Sequence, residues 1–223
     1  MHPNDFFDLA GFAHTGIFAG VQYVWEAMNR LDKYVCNVVH TSINGKLMPG
    51  AIVSGEVMIG DGTIVEPGAV IIGPTLIGRN CIVRQGAYLR GNIIVGNNCI
   101  IGHASEVKSS ILFDEVEIPH FAYVGNSLLG KGVLLGAGVR CSNRTLLGGT
   151  IKIKVGKSLY DTGLTRFGAV VGDHVAIGSN CVLNPGTLIG KGTLVYPNAS
   201  LRGYYPENHI VKIIQTQEVC RRV

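Results

Sequence analysis

Apolar side chains recur at every sixth position over much of the chain. The rhythm breaks over residues 144–165 and then resumes. The apolar positions in phase are, in chain order, Leu47, Val53, Ile59, Val65, Ile71, Ile77, Val83, Leu89, Val95, Ile101, Val107 and Phe113, then Tyr123, Leu129 and Leu135, then Val171, Ile177, Leu183, Ile189, Val195 and Leu201. Six residues are too few for a helical repeat and fit one short strand and a corner, with one bulky side chain pointing inward. The pattern therefore predicts a mainly β fold, a parallel β-helix over residues 45–202, with Val65, Val83 and Ile101 stacked on one wall.

The two ends of the chain do not follow this rhythm. Near the start, apolar residues recur at helical spacing, which predicts one amphipathic helix within an N-terminal segment of residues 1–44. The residues of this stripe are Ile17, Val21, Val24, Met28 and Leu31. We expect the stripe to dock on the base of the β-helix or on a neighbouring subunit. The tail, residues 203–223, alternates in places and predicts an edge strand.

Composition narrows the functional classes. Glycine accounts for 31 of 223 residues, while charged residues make up 15% and aromatic residues 7%, which argues against a disordered chain, a coiled coil and a helical bundle. The net charge of +4 comes without a basic run interleaved with aromatic residues, so we expect no nucleic-acid partner. No apolar stretch is long enough to span a membrane. Asp5 and Asp8 stand where a secretory signal would carry positive charge, so we expect a cytoplasmic protein.

The six cysteines form no CxxC pair, which favours reduced thiols over a disulfide framework. Cys81, Cys99 and Cys181 each lie two positions before an apolar residue of the rhythm. They are therefore predicted to fill space inside the β-helix.

The hexads and their corners, such as GRN at 78–80 and GNN at 96–98, resemble those of the hexapeptide-repeat transferases. This resemblance implies a left-handed β-helix with three hexads per triangular coil, and a homotrimer. Because Arg90 and Lys108 are one such coil apart, they would stack about 4.8 Å from each other on one face. They are either solvated surface charges or a clamp for a phosphate or carboxylate, and Glu106, on the same side of the strand, would partly offset them.

His120 lies in the segment IPHFAYVGN, where the six-residue rhythm slips, within one coil of Lys108. Its imidazole is either structural or a general base, because histidine titrates near neutral pH. His103 and His174 fall at corners and are interpreted as surface residues.

Two stretches carry a more specific resemblance. YLRGNIIVGNNCIIGHASEVKSS and IPHFAYVGNSLLGKGVLLGAGVRCSN are similar to the C-terminal acetyltransferase domain of the bifunctional N-acetylglucosamine-1-phosphate uridylyltransferase/glucosamine-1-phosphate acetyltransferase, in its archaeal type. The resemblance implies that Arg90 and Lys108 hold the phosphate of a sugar, that Tyr123 contacts the sugar and that His120 is the catalytic base. It also implies that Arg166 approaches the substrate.

The same resemblance implies acetyl-CoA as cosubstrate and no metal. The backbone N–H of Ala137, between two glycines, would face the acyl group, and Asn143 and Ser179 would contact acetyl-CoA. The archaeal type carries two lysines after this asparagine; one is Gly149 here, and Lys152 is left to meet the cofactor.

The segment 144–165 interrupts the hexads and brings Lys152, Lys154 and Lys157 close together in sequence. Two interpretations remain open. It is a solvated hairpin, or it overhangs the acyl-donor groove so that one lysine meets a phosphate of coenzyme A.

The leading interpretation is a homotrimeric acyl-CoA-dependent N-acyltransferase, most simply an acetyltransferase, that acts on an amino-sugar phosphate such as glucosamine 1-phosphate. We expect no nucleotidyltransferase domain, because about 45 residues before the β-helix cannot hold one. A second interpretation changes the acceptor to another amino sugar or a nucleotide sugar. A third is a non-catalytic trimeric module that binds a sugar phosphate or supports assembly. His120 and the Arg90–Lys108 pair favour catalysis, whereas Leu134, in place of a substrate-contacting asparagine, and Gly149 favour its loss.

Overall fold

Short strands alternate with corners rich in glycine and asparagine, and each coil of the chain places one strand in each of three walls. The computed structural model describes residues 1–222. Two walls contain nine strands and the third contains eight, with parallel pairing between coils. This architecture confirms the predicted mainly β parallel β-helix and is consistent with the left-handed form that the resemblance implies.

We call the walls A, B and C in the order in which the chain visits them. The strands of wall A are β1 (Ser42–Ile43), β4 (Val57–Ile59), β7 (Thr75–Ile77), β10 (Ile93–Val95), β13 (Ile111–Leu112), β16 (Leu128–Leu129), β21 (Ala169–Val171), β24 (Thr187–Ile189) and β27 (Tyr204–Tyr205). The strands of wall B are β2 (Lys46–Leu47), β5 (Ile64–Val65), β8 (Ile82–Val83), β11 (Ile100–His103), β14 (Glu117–His120), β17 (Leu134–Leu135), β22 (Ala176–Ile177), β25 (Leu194–Val195) and β28 (Ile210–Val211). The strands of wall C are β3 (Ile52–Ser54), β6 (Val70–Ile72), β9 (Tyr88–Arg90), β12 (Glu106–Lys108), β15 (Tyr123–Gly125), β18 (Arg140–Cys141), β23 (Val182–Leu183) and β26 (Ser200–Leu201).

The interior is a continuous column of aliphatic side chains from all three walls. Val65, Val83 and Ile101 pair in register on wall B and are fully buried, as predicted. The small side chains of Cys81, Cys99 and Cys181 point into the same core, which confirms their space-filling role.

The slip of the rhythm after Phe113 comes from a shortened corner. Ile94 pairs with Ile111, only 17 residues further on, because the corner after β12 is one residue shorter than the corner after β9. The shorter corner turns Leu112 into the core and Phe113 outward. The predicted inward position of Phe113 was therefore wrong: its ring stacks outside the coil on Phe12, with centroids 3.9 Å apart.

The N-terminal segment covers the outer face of wall A. Helix α1 runs from Glu26 to Val38 and follows two short 3-10 turns at Pro3–Asp5 and Thr15–Phe18. The predicted helix was therefore placed too early. The expected docking on the base or on another subunit was also wrong, because wall A of the same chain offers a continuous apolar strip. The outward residues of this strip are Met58, Leu76, Ile94, Ile111, Leu128, Val170 and Leu188.

The interruption at 144–165 contains an antiparallel hairpin of β19 (Lys152–Val155) and β20 (Ser158–Asp161). Ile151 and Ile153 are buried in the cluster that joins the hairpin to the N-terminal segment and wall A. The tail contributes the edge strands β27 and β28, residues 212–222 have no assigned strand, and Val223 lies outside the described residues. Within residues 1–222, no helix is both long and apolar enough to cross a bilayer.

Candidate functional site

The outer face of wall C carries two rows of side chains that run from coil to coil. Their register follows from the pairing of Leu89 with Val107 and of Val107 with Val124. Row 1 contains Tyr88, Glu106, Tyr123 and Arg140. Row 2 contains Ile72, Arg90, Lys108, Gly125, Ser142, Asn184 and Arg202. Arg90 and Lys108 are therefore neighbours in row 2, with Glu106 and Tyr123 beside them in row 1.

Glu106 binds one member of the Arg90–Lys108 pair. Arg90 Nη1 donates to Glu106 Oε1 over 2.7 Å, and the two side chains are 41% and 31% exposed. The hydrogen bond and the charge of Glu106 raise the pKa of the Arg90 guanidinium, which also lies 5.6 Å from the centre of the Tyr88 ring. Among residues 1–222, Lys108 forms no ion pair. The site therefore holds one cation that is already paired and one that is available to an anionic ligand.

Tyr123 faces outward, although the six-residue rhythm would place it inside; Val124 takes the inward position. Burial raises the pKa of the Tyr123 phenol, and the charge of Glu106 adds to this effect. A hydrogen bond with Asn143 and the charges of Arg90 and Arg166 oppose it. Tyr123 is thus at the centre of the predicted substrate residues, and the structure brings Arg166 to it from the far end of the interruption.

Gly125 leaves the space that this arrangement needs. A methyl group added at Gly125 would lie 2.5 Å from the Tyr123 hydroxyl and 2.7 Å from Asn143 Nδ2. Asn143 is buried, and its Nδ2 donates to Asn126 Oδ1 over 2.7 Å. Its carbonyl oxygen accepts the N–H of Phe167, which places the adjacent Arg166. Asn143, predicted to contact the cofactor, therefore supports the substrate residues, and its side-chain amide is already hydrogen-bonded.

The remaining predicted residues line the corner between walls B and C. His103 pairs with His120, and the N–H of Gly138 donates to the His120 carbonyl over 3.0 Å, so that Ala137 lies one coil beyond His120. Ser179 takes the same position in the next coil. The Ala137 N–H and the exposed His120 imidazole have no hydrogen-bond partner in the part of the chain that the structure describes. We call His120, Ala137 and Ser179 the corner column; it presents a free donor next to a potential base.

His103 was interpreted as a surface residue, and the structure places it directly below His120. Its Nδ1 lies 2.8 Å from the carbonyl oxygen of Gln85, so Nδ1 carries the proton and Nε2 is left as an acceptor. Its ring also meets Phe121 edge-on at 5.4 Å. The sequence signal for this neighbour of the corner column is its 17-residue separation from His120, which only the shortened coil makes meaningful.

Two clefts lie where the hairpin overhangs the last coils of wall C. One has a volume of about 560 Å³ and contains Lys152, Lys154 and Arg202 in its lining. The other has a volume of about 570 Å³ and is lined by Lys152, Arg202 and Arg144, among others. Lys157 lines neither cleft.

Comparison with known proteins agrees with the coils and the corner. A model of the GMPPB C-terminal domain matches residues 71–164, and a model described as bacterial transferase hexapeptide (six repeats) matches residues 168–203. The chain belongs to the hexapeptide-repeat family. The bifunctional protein GlmU of Methanococcus maripaludis strain C7 is 37% identical over 203 residues, 91% of this chain and 49% of that protein. GlmU of Methanocaldococcus jannaschii is 33% identical over 81% of this chain and 44% of its own length.

A third relative is the bifunctional sugar-1-phosphate nucleotidylyltransferase/acetyltransferase of Sulfurisphaera tokodaii. It is 35% identical over 94 residues, which are 42% of this chain and 23% of that protein. This hexapeptide-repeat chain spans at most about half the length of these curated relatives.

The two departures from the archaeal type have different surroundings. Leu134 pairs with Glu117 on the outer face of wall B, away from the substrate residues of wall C. Gly149, with a φ of 79°, lines a small cleft of about 230 Å³ together with Arg144 and Arg166. Two arginines therefore supply positive charge where the hexapeptide-repeat chain lacks the expected lysine.

Proposed function

We propose that the protein is an acyl-CoA-dependent N-acyltransferase, most simply an acetyltransferase, that acts on an amino-sugar phosphate such as glucosamine 1-phosphate. The observation that carries this proposal is the corner column beside wall C, where the free Ala137 N–H and His120 lie one coil apart. The name of the Sulfurisphaera relative, which joins a sugar 1-phosphate to an acetyltransferase, supports the same class of reaction.

On the acceptor side, Lys108 and Arg90 bind the phosphate and Tyr123 orients the sugar, with Arg166 adding positive charge nearby. Much of the rate enhancement then comes from holding the amine against the thioester. His120 accepts a proton from the amine nitrogen as this nitrogen attacks the carbonyl carbon. Such a positioned base contributes about 10²- to 10⁴-fold to the rate.

On the donor side, the Ala137 N–H donates to the oxygen that becomes negative when the amine adds. One such donor contributes about 3 kcal/mol to transition-state stabilisation in other enzymes. The carbon–sulfur bond then breaks, and the thiol of coenzyme A leaves with the proton while the sugar keeps the new amide. Ser179 and Lys152 contact the donor, with Asn143 supporting Tyr123 beneath it. No metal takes part in the transfer as we propose it.

A homotrimer completes this proposal. Wall A is covered by the N-terminal segment, whereas the outer face of wall B exposes a row of aliphatic side chains: Ile64, Ile82, Ile100, Leu134, Leu194 and Ile210. Exposed apolar rows of this length are typical of protein interfaces. A second copy packed on wall B would also close the corner column against water. Light scattering should give three times the mass of the chain, and a monomer at micromolar concentration would contradict the trimer.

We also place the protein in the cytoplasm, because Cys36 and Cys220 are exposed free thiols, which persist in a reducing compartment.

A thiol-release assay tests the proposed function. Acetyl-CoA is supplied with a panel of amino sugars, their 1-phosphates and nucleotide-linked amino sugars, and free coenzyme A is followed over time. Turnover should be greatest with an amino-sugar 1-phosphate and should fall sharply with the unphosphorylated sugar. Preference for a nucleotide sugar would support the second acceptor class. Binding of sugar phosphate without thiol release from any acceptor would support the non-catalytic module, which the exposed Leu134 favours.

A further inference from the structure

The two clefts beneath the hairpin share one set of cations. Lys152 and Arg202 line both clefts, Lys154 lines one of them, and Arg144 lines the other. These four side chains come from three separate elements: β19, the corner after β26, and the loop after β18. The fold therefore gathers charges that are distant in sequence. We call Lys152, Lys154 and Arg202 the upper cation site.

These cations have no protein partners. Neither cleft has an acidic residue in its lining. Over residues 1–222, none of the four side chains forms an ion pair or donates a side-chain hydrogen bond. The nearest carboxylate in register is Asp161, opposite Lys152 in the hairpin, and its oxygens accept from Thr150 and Gly163. Unpaired cations facing one space are repelled by each other, so an anion in that space would be bound favourably.

Apolar surface borders the same space. Leu146 and Leu147 are fully exposed at the tip of a turn held by a 2.9 Å bond from Thr145 Oγ1 to the Gly148 carbonyl, and both line the cleft of about 570 Å³. Leu159 and Tyr204 line the other cleft. A ligand that combines phosphates with a flat, weakly polar ring would satisfy both kinds of surface, and a nucleotide has this combination.

The position separates this site from the sugar-phosphate residues. Arg202 lies in row 2, four coils beyond Lys108, which at the usual strand spacing is about 19 Å. The row between them contains only Gly125, Ser142 and Asn184, which are small and uncharged. One ligand phosphate near Lys108 and a second ligand's phosphates near Arg202 would thus leave the middle of the wall for a long neutral arm.

We propose that the upper cation site binds the phosphates at the nucleotide end of the acyl donor, and that it selects donors that carry this end over shorter thioesters. This inference rests on the proposed function for the identity of the donor. It adds Arg202 and Lys154 to the residues expected to bind the donor, and it assigns the hairpin a role in donor choice.

Calorimetric titration with adenosine 3′,5′-bisphosphate tests the site without any acyl transfer. The variant Lys152→Gln/Lys154→Gln/Arg202→Gln should bind this probe at least about 10-fold more weakly than the wild type, because several charge-assisted hydrogen bonds are lost. Lys157→Gln is the matched control: it removes a charge from the same hairpin outside the clefts and should leave the affinity nearly unchanged. Arg202→Lys, which keeps the charge, should retain most of the binding, and circular dichroism checks that each variant is folded.

Equal weakening by Lys157→Gln would show that net charge alone attracts the probe, and an unchanged affinity in the triple variant would overturn the site. Kinetics adds a second readout. The KM for acetyl-CoA should rise about 10-fold in the triple variant, while the KM for acetyl-pantetheine, which lacks the nucleotide, should stay the same; an equal rise for both donors would refute donor selection. If the protein binds the bisphosphate through these residues but releases no thiol from any donor, the site stands and the proposed function fails.

Discussion

Replacing Glu106 by glutamine should strengthen the binding of a sugar phosphate. In the free protein, Arg90 Nη1 donates to Glu106 Oε1 over 2.7 Å, so a phosphate at row 2 must compete with this carboxylate for the guanidinium. The carboxylate also lies on the same face as the incoming phosphate and repels it. Glu106→Gln removes both effects and keeps a side chain of nearly the same size.

The expected gain is modest. The pair is partly exposed, with side chains 41% and 31% accessible, and such pairs contribute about 0–1 kcal/mol to stability. The repulsion between two anions several Å apart in a water-like medium is also on the order of 1 kcal/mol. We therefore expect about 1 kcal/mol of tighter binding, roughly fivefold, with a similarly small loss of folding stability. By contrast, Lys108→Gln removes a charge-assisted bond and should weaken binding at least about 10-fold.

Isothermal titration with glucose 1-phosphate measures this effect. This ligand has a phosphate but no amine, so attraction between Glu106 and an ammonium group does not enter the result. Glu117→Gln, which removes an exposed carboxylate from wall B, is the control for net charge and should leave the affinity nearly unchanged. If Glu106→Gln weakens glucose 1-phosphate, Arg90 needs Glu106 to hold it in place, and competition between carboxylate and phosphate is the wrong description of the pair.

Three further predictions follow from the site and the core. His120→Ala should keep the fold and substrate binding, lower turnover by about 10²- to 10⁴-fold and abolish the rise of rate with pH through the range where histidine loses its proton; more than half of wild-type turnover would make this histidine structural. Gly125→Ala should keep the fold, because the added methyl meets only side-chain ends, but should raise the KM for the sugar phosphate by displacing the phenol of Tyr123; an unchanged KM would remove that phenol from the site. A thiol reagent should react with Cys36 and Cys220 in the native protein and with the four buried cysteines only after unfolding, since burial suppresses their reactivity and raises the pKa of Cys141 to about 12; rapid reaction of a third thiol would contradict the buried column.

The sequence pattern was sufficient for the coils because one inward side chain per strand must be apolar, and Val65, Val83 and Ile101 obey that rule. It failed at Phe113 because Leu112 is equally apolar, so a corner shortened by one residue leaves no trace in hydrophobicity. The early placement of the helix has a similar origin. The apolar residues before Glu26 lie mostly in irregular structure and 3-10 turns, and their spacing only coincides with that of a helix.

The site was predictable to the extent that chain distance equals coil length. Arg90 and Lys108 are 18 residues apart and stand in adjacent coils. Arg202 belongs to the same row, but the interruption at 144–165 separates Ser142 from Asn184 by 42 residues although they are neighbours. The partner of Arg90 was also beyond the sequence, because the choice between solvent, Lys108 and Glu106 depends on side-chain conformation.

The N-terminal segment links coils that would otherwise touch only their neighbours. The carbonyl of Phe6 accepts the N–H of Asp173, whose carboxylate accepts the N–H of Asp8, while Phe12 stacks on Phe113, two coils away along wall A. A plain solenoid can lose its coils one after another, because each is held only by the next. A strap across several coils joins their fates, since no single coil can leave without exposing the aromatic residues that also seal the others. Unfolding should therefore be a single cooperative event, and the strap makes a protein built from repeats behave as one unit.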